Sequence, residues 1–288
     1  MPKRGAVIKI IDTAGQMQKY ADGVREKGKK ISLVPTMGFL HQGHLSLIKE
    51  ALKHGDEVVV SIFVNPAQFG PGEDLEKYPR SFERDCKLAE DAGASIIFSP
   101  DKEELYGKNY QTYVNLEKLP MHLCGISRPT HFRGVATIVT KLFLITKPHA
   151  AVFGQKDFQQ LQVIRQMVKD LNFDIKIIGA PIVREDDGLA MSSRNTYLTP
   201  GQRKQALCLS QSLKQAFEMV KSGVIDASRI IEQAEKIISA HPETKIDYIA
   251  VCDPDTLSDI KIIQGPAIMA LAVKVGNTRL IDNMMINQ

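Results

Sequence analysis

The stretch Ile31-Ser32-Leu33-Val34-Pro35-Thr36-Met37-Gly38-Phe39-Leu40-His41-Gln42-Gly43-His44 decides the fold. Its first four residues make the short apolar run that a buried strand needs, and beyond it Leu45, Ile48, Ala51 and Leu52 recur at helical spacing. His41 and His44 therefore fall where a strand gives way to a helix. Unpaired amide donors and the positive end of the helix dipole gather at such a turn, so the spacing predicts a phosphate site. Gly38 and Gly43 would let the backbone approach a ligand closely. A single histidine near a helix start is ordinarily a cap or a surface residue; two, separated by a glycine, are less easily explained that way.

Outward from this turn, strand and helix patterns alternate. Met17, Tyr20, Ala21 and Val24 repeat at helical spacing before Gly28, and residues 57–64 form an apolar run rich in β-branched residues, as in a buried parallel strand. Helices are expected near 82–91, 135–145 and 158–170, with strands at 95–98, 150–153 and 174–178. The alternation predicts an α/β fold, a Rossmann-like doubly wound parallel sheet. After Pro181 the pattern changes: the polar run Arg184-Glu185-Asp186-Asp187-Gly188 leads into Met191-Ser192-Ser193-Arg194-Asn195. Residues 1–182 are expected to form the nucleotide-binding domain. Residues 183–288 are expected to form a smaller C-terminal α+β lid domain, with helices over 200–222 and 226–240 and strands at 245–251, 268–275 and 279–282.

At 288 residues, 43% of them hydrophobic, the chain can fill one large core or two modest ones. Thirty-seven basic and 33 acidic residues leave a formal charge of +4 without a dense basic run, so the balance suits anionic small substrates and does not call for nucleic acid. The four cysteines, Cys86, Cys124, Cys208 and Cys252, are widely spaced and form no CxxC pair, which argues against a zinc site or a disulfide framework and for core thiols in a reducing compartment. The apolar run from Ala6 to Ile11 is short and interrupted by Lys9, and no apolar stretch is long enough to cross a bilayer, so a cytoplasmic protein without membrane attachment is expected.

Two further segments offer charge for phosphates. Lys156, in Gly154-Gln155-Lys156-Asp157, follows a strand on the carboxyl edge of the sheet, where open α/β folds bind ligands. Arg194 ends Met191-Ser192-Ser193-Arg194, a run of hydroxyl and guanidinium donors on a mobile-looking loop able to close over a triphosphate. Alone, the lysine could be a solvated surface residue and the loop a turn before the next helix. Asn65 and Gln68, in a turn after the strand at 57–64, are neutral amides able to orient a hydroxyl or carboxylate; ordinary turn chemistry would also explain them. Gln160, just past Asp157, could face the same cleft.

The His-x-Gly-His pattern resembles the HIGH signature of the nucleotidylyltransferase superfamily. More specifically, five segments in order resemble the pantoate:β-alanine ligase family: residues 35–44; Phe63-Val64-Asn65-Pro66 with Gln68-Phe69 and residues 74–80; His131-Phe132-Arg133-Gly134-Val135; Phe153-Gly154-Gln155-Lys156-Asp157-Phe158-Gln159-Gln160; and Met191 with the four residues that follow it. Gln155 departs from the acidic residue expected there.

The resemblance implies two steps. Pantoate attacks the α-phosphate of ATP to give pantoyl adenylate and pyrophosphate, and β-alanine then attacks the acyl carbon to give pantothenate and AMP. It implies an ATP site made of Met37, Gly38, Phe39, Leu40, His41, Gln42, Gly43, His44, Gly154, Gln155, Lys156, Asp157, Val183, Met191, Ser192, Ser193 and Arg194. His44, His41, Lys156 and Arg194 would be catalytic, with His44 a proton donor, and Gln68, Gln160, Asn65 and Arg133 would contact substrate. Arg133 could instead pair with a structural carboxylate. Magnesium is expected with ATP, Asp85 being a weak candidate for a protein contact, and a homodimer is implied. The competing reading is a nucleotidylyltransferase that keeps the nucleotide on its product; it shares the histidine motif and differs in releasing no AMP.

Overall fold

A computed structural model describes residues 8–287; Ala6 and Val7 of the N-terminal apolar run lie outside them. In chain order the elements are β1 (Lys9–Ile11), α1 (Ala14–Arg25), β2 (Ile31–Thr36), α2 (Gln42–Ala51), β3 (Glu57–Ile62), α3 (Phe82–Asp91), β4 (Ile96–Phe98), α4 (Lys102–Leu105), α5 (Cys124–Ser127), α6 (His131–Thr146), β5 (Ala150–Gly154), α7 (Phe158–Asp170) and β6 (Lys176–Ala180). They continue with α8 (Pro200–Ala206), α9 (Cys208–Lys221), α10 (Ala227–Ser239), β7 (Thr244–Cys252), β8 (Ala267–Val275) and β9 (Thr278–Asn287). The chain divides into two compact units. The first runs up to Leu116 and adds Thr130–Gln155 and Val163–Pro181; the second holds Glu117–Pro129, Lys156–Gln162 and the chain from Ile182 onward.

The first unit is the expected doubly wound sheet, six parallel strands in the order β1-β4-β3-β2-β5-β6. Val34, Val58, Val60, Ile97 and Val152 alternate along their strands onto one face, where Leu45 and Ile48 of α2 and Ala89 of α3 cover them. From β2 the chain winds to β3 and β4 on one side, and later returns to place β5 and β6 on the other. The switch point is therefore the gap between β2 and β5, where ligands of open α/β sheets bind. His149 pins the start of that gap: its amide donates to the Ile31 carbonyl (2.8 Å), and the Ile31 amide donates to its Nδ1 (3.0 Å). Register with β5 covers Ser32 and Leu33 alone, whereas β2 stays paired with β3 through Thr36. Past Leu33 the strands β2 and β5 no longer pair with each other and run on toward their carboxyl ends, which carry the histidine turn and Gly154.

The second unit is a three-stranded antiparallel sheet, β7-β8-β9, covered by α9 and α10. Leu209, Leu213, Ile230, Met269, Leu271 and Val273 form its core. The single helix expected over 200–222 is two, α8 and α9, separated at Leu207. Residues 117–129 and 156–162, which precede the expected domain boundary, belong here through polar clamps. The Gln159 amide donates to the Leu119 and His122 carbonyls (2.9 and 2.6 Å) and accepts from the Cys124 amide, Ser127 donates to Asp247, and Gln162 donates to the Pro254 carbonyl. Cys124, Cys208 and Cys252 are buried free thiols, and burial pushes those of Cys208 and Cys252 up to about 12. Among the described residues no helix is long and apolar enough to cross a membrane.

Candidate active site

The histidine turn caps α2. His41 is the N-cap residue, in extended backbone, and its Nδ1 accepts from the Gly43 amide (3.1 Å); His44 Nδ1 accepts in turn from the His41 amide (3.3 Å). This is a capping box built from two imidazoles. Their rings lie 4.1 Å apart between centroids. A main-chain donor at Nδ1 fixes the tautomer, so each neutral ring carries its N–H at Nε2.

The turn's main chain differs from the expectation of unpaired donors. The Gly38 amide donates to Thr36 Oγ1 (3.2 Å), while those of Phe39 and Leu40 donate to the two oxygens of Asp85 (2.6 and 2.7 Å). The His41 and Gly43 amides are likewise engaged, by the two imidazoles. Asp85 sits in the first turn of α3 with only 1% of its surface exposed. Both of its carboxylate oxygens hold main-chain amides of the histidine turn. Among the described residues no group of three or more His, Cys, Asp or Glu side chains could hold a metal.

A second turn, Pro66–Gln68, follows β3. Asn65 caps it, with its Oδ1 accepting from the Ala67 amide (3.3 Å) and its Nδ2 donating to Gln68 Oε1 (3.2 Å) and to the Gly134 carbonyl (3.1 Å). Asn65 is 1% exposed, and through these three bonds it orients Gln68. Gln68 Nε2 donates toward the Met37 sulfur (2.8 Å). Sequence reasoning passed over two neighbours from the His131-Phe132-Arg133-Gly134 run. The Gln68 carbonyl accepts from His131 Nδ1 (2.9 Å), and α6 approaches so closely that a Cβ on Gly134 would lie 2.2 Å from the Ala67 carbonyl oxygen. Arg133, between them, is exposed and stacks 3.8 Å over the Tyr113 ring. Gly154 ends β5 and Gln155 follows it in the same unit, donating to the Gly179 carbonyl at the long distance of 3.5 Å.

Lys156, Asp157, Gln160, Val183 and residues 191–194 belong to the second unit. There Lys156 and Ser192, 36 positions apart in the chain, line one small cleft with Ala190, Asn195 and Asp282. Lys156 is held through its main chain, whose carbonyl accepts from Asn283 (2.9 Å), and its ammonium lies 3.9 Å from Asp157. The chain that leads into residues 191–194 is a stapled hairpin. The Met191 amide donates to the Val183 carbonyl, and Gly188 turns with φ +93°. Arg184 grips buried Asp282 through two bonds (2.6 and 3.0 Å), and Arg203 reaches both Glu185 (2.7 Å) and Asp187 (2.6 Å). Burial works against the charge of Asp187, but the Leu189 amide and Arg203 outweigh it and lower the pKa of its carboxyl. Asn195 ties the far end by donating to Glu185 and to the Ala190 carbonyl. Ser192 caps the single-turn helix Ser193–Tyr197 by accepting from the Arg194 amide (3.2 Å).

Residues 9–285 match the family model described as pantoate-beta-alanine ligase. A pantothenate synthetase of Desulfatibacillum aliphaticivorans is 61% identical over 97% of this chain and 99% of its own, and one of Thermotoga petrophila is 55% identical over 97% and 100%. Among solved structures, a pantothenate synthetase from Thermus thermophilus superposes with a TM-score of 0.93 at 41% identity, covering 98% of this chain and all of that one. A pantoate-beta-alanine ligase from Francisella tularensis, complexed with beta-gamma ATP and beta-alanine, gives 0.81 at 33% identity, covering 97% and 98%. With that extent of likeness added to the paired histidines at the switch point, the chain belongs to the pantoate-beta-alanine ligase family.

Proposed function

We propose that this chain condenses pantoate with β-alanine at the expense of ATP, through a pantoyl adenylate. The observation that carries the reading is the imidazole pair at the carboxyl end of β2, both rings locked with N–H at Nε2 beside the sheet's switch point. In the first step a pantoate carboxylate oxygen bonds to the α-phosphorus, and the bond to the bridging oxygen breaks to release pyrophosphate. A carboxylate with a pKa of about 4 is already ionised at neutral pH, so the step needs no base; it needs alignment and stabilisation of charge on the phosphates. His41 and His44 supply Nε2–H donors to the phosphate oxygens. Lys156 and Arg194 supply the positive charge, with the hairpin holding residues 191–194. Magnesium comes as part of the ATP substrate, balancing its phosphates.

Gln68, its Oε1 engaged by Asn65, offers N–H to pantoate, and Gln160 completes that contact. In the second step the β-alanine nitrogen, released from an ammonium of pKa about 10, bonds to the acyl carbon, AMP leaves and the nitrogen loses a proton. A homodimer, a lid role for the second unit and a cytoplasmic location complete the reading. Family membership supports the dimer, the place of residues 191–194 near the expected domain boundary is the ground for the lid, and the free cysteines support the location. The test is product analysis: pantothenate and free AMP formed in equal amounts are expected, whereas a product that retains the nucleotide would replace this reading with nucleotidyl transfer.

A further inference from the structure

Asp85 raises a question that the reaction does not answer by itself: why a carboxylate should be buried against the turn that receives a triphosphate. Its two oxygens take the amides of Phe39 and Leu40 at 2.6 and 2.7 Å, short bonds of the charge-assisted kind. Phe39 adopts φ +50°, a left-handed conformation that a bulky residue keeps only where its surroundings over-determine it. Gly38, at φ +83°, is hemmed in as well: a Cβ there would lie 3.1 Å from Asp85 Oδ2. Arg84 stands 5.3 Å over the Phe39 ring and 3.7 Å from Asp85 Oδ1, offsetting part of the negative charge. The left-handed pair Gly38-Phe39 ends two residues before His41, whose amide begins the two-imidazole cap.

We propose that Asp85 is a positioning residue for the first half-reaction: by fixing Phe39 and Leu40 it sets where His41 and His44 present Nε2, and it withdraws two main-chain donors from the nucleotide. The inference rests on the functional reading above and deepens it. Asp85 touches no substrate in this scheme. Its influence passes through the turn and concerns bond formation at phosphorus, which the β-alanine step does not repeat.

Asp85→Asn keeps the shape but turns an NH₂ against one of the two amides. The expected result is a fall of at least tenfold, on the order expected for misplaced catalytic donors, in pantoate-dependent exchange of pyrophosphate into ATP. Conversion of supplied pantoyl adenylate by β-alanine should stay within about threefold. The ¹⁵N resonances of the His41 and His44 rings should lose the pattern of an accepting Nδ1. Unchanged exchange would overturn the proposal, and so would an equal fall in both half-reactions with unchanged ring signals, which a merely structural role would give. If Asp85→Asn is not recovered folded, Asp85→Ser, which leaves one acceptor, takes the same measurements. Absence of exchange in the unaltered protein would instead strike the functional reading, and the ring nitrogens alone would then decide the part played by Asp85.

Discussion

Replacing His44 by alanine removes two things at once: the acceptor for the His41 amide, which helps cap α2, and a donor assigned to phosphate. Losing a cap costs about 1 kcal/mol, whereas losing a preorganised transition-state donor costs roughly 10²–10³ in rate. The expected outcome is a folded protein with a slightly lower melting midpoint and AMP formation reduced at least ~100-fold; a full rate would remove this histidine from the mechanism. Gly134→Ala acts on the other turn. Its Cβ meets the Ala67 carbonyl at 2.2 Å, so α6 and the turn must part, at a cost of about 1–3 kcal/mol. Because Gln68 rides on that turn, thermal stability should fall and the KM for pantoate rise more than that for ATP; equal change in both would detach Gln68 from pantoate. The paired histidines were legible in the sequence because cap and motif lie within four residues. The service of Asp85 to Leu40, 45 positions away, was not, since no local pattern records which amide a distant carboxylate will hold.

At the scale of elements, every strand and long helix of the first sheet after β1 was legible, because buried parallel strands and amphipathic helices leave strong periodicities. β1 is only three residues, and single-turn pieces such as α4, α5 and Pro66–Gln68 are too short for any period to show. The polar hairpin before residues 191–194 left no periodic signal in the sequence; its polarity is that of ion pairs closing on one another. Arg184→Ala would strand the 1%-exposed Asp282 carboxylate without its fork, a loss on the order of 3 kcal/mol. A matching drop in unfolding free energy and a raised KM for ATP are expected, and unaltered stability would show that the pair is dispensable.

His149, at the head of the β2–β5 gap, gives a pH dependence. Burial lowers its pKa from the usual 6.5, helped by nearby Arg25 and Lys30, and protonation would cost Nδ1 the Ile31 amide. The unfolded chain binds that proton more readily, so this contribution is whole above about pH 6.5 and lost as pH falls through the lowered folded value. Denaturation midpoints followed across this range should decline toward acid, and His149→Gln should flatten that part of the decline; identical slopes would absolve the residue.

For the whole molecule, the order of strands explains why short motifs scattered along the sequence serve one end of a sheet. β2 and β3 carry the histidine and Gln68 turns at their carboxyl ends, and β5 ends at Gly154. Sequence order does not reveal that residues 117–129 and 156–162 group with the second unit, because their attachment is made by the side chains of Gln159, Gln162, Ser127 and Asn283, which have no periodic signature. Sedimentation of the intact protein should give twice the chain's 32.0 kDa; a monomer at micromolar concentration would remove the dimer from the account.

The central claim is that pantoate and ATP react before β-alanine takes part, and exchange of labelled pyrophosphate into ATP without β-alanine tests it most directly. The account predicts exchange that requires pantoate and is lost in His44→Ala. Exchange that proceeds without pantoate, or none in its presence, would contradict it.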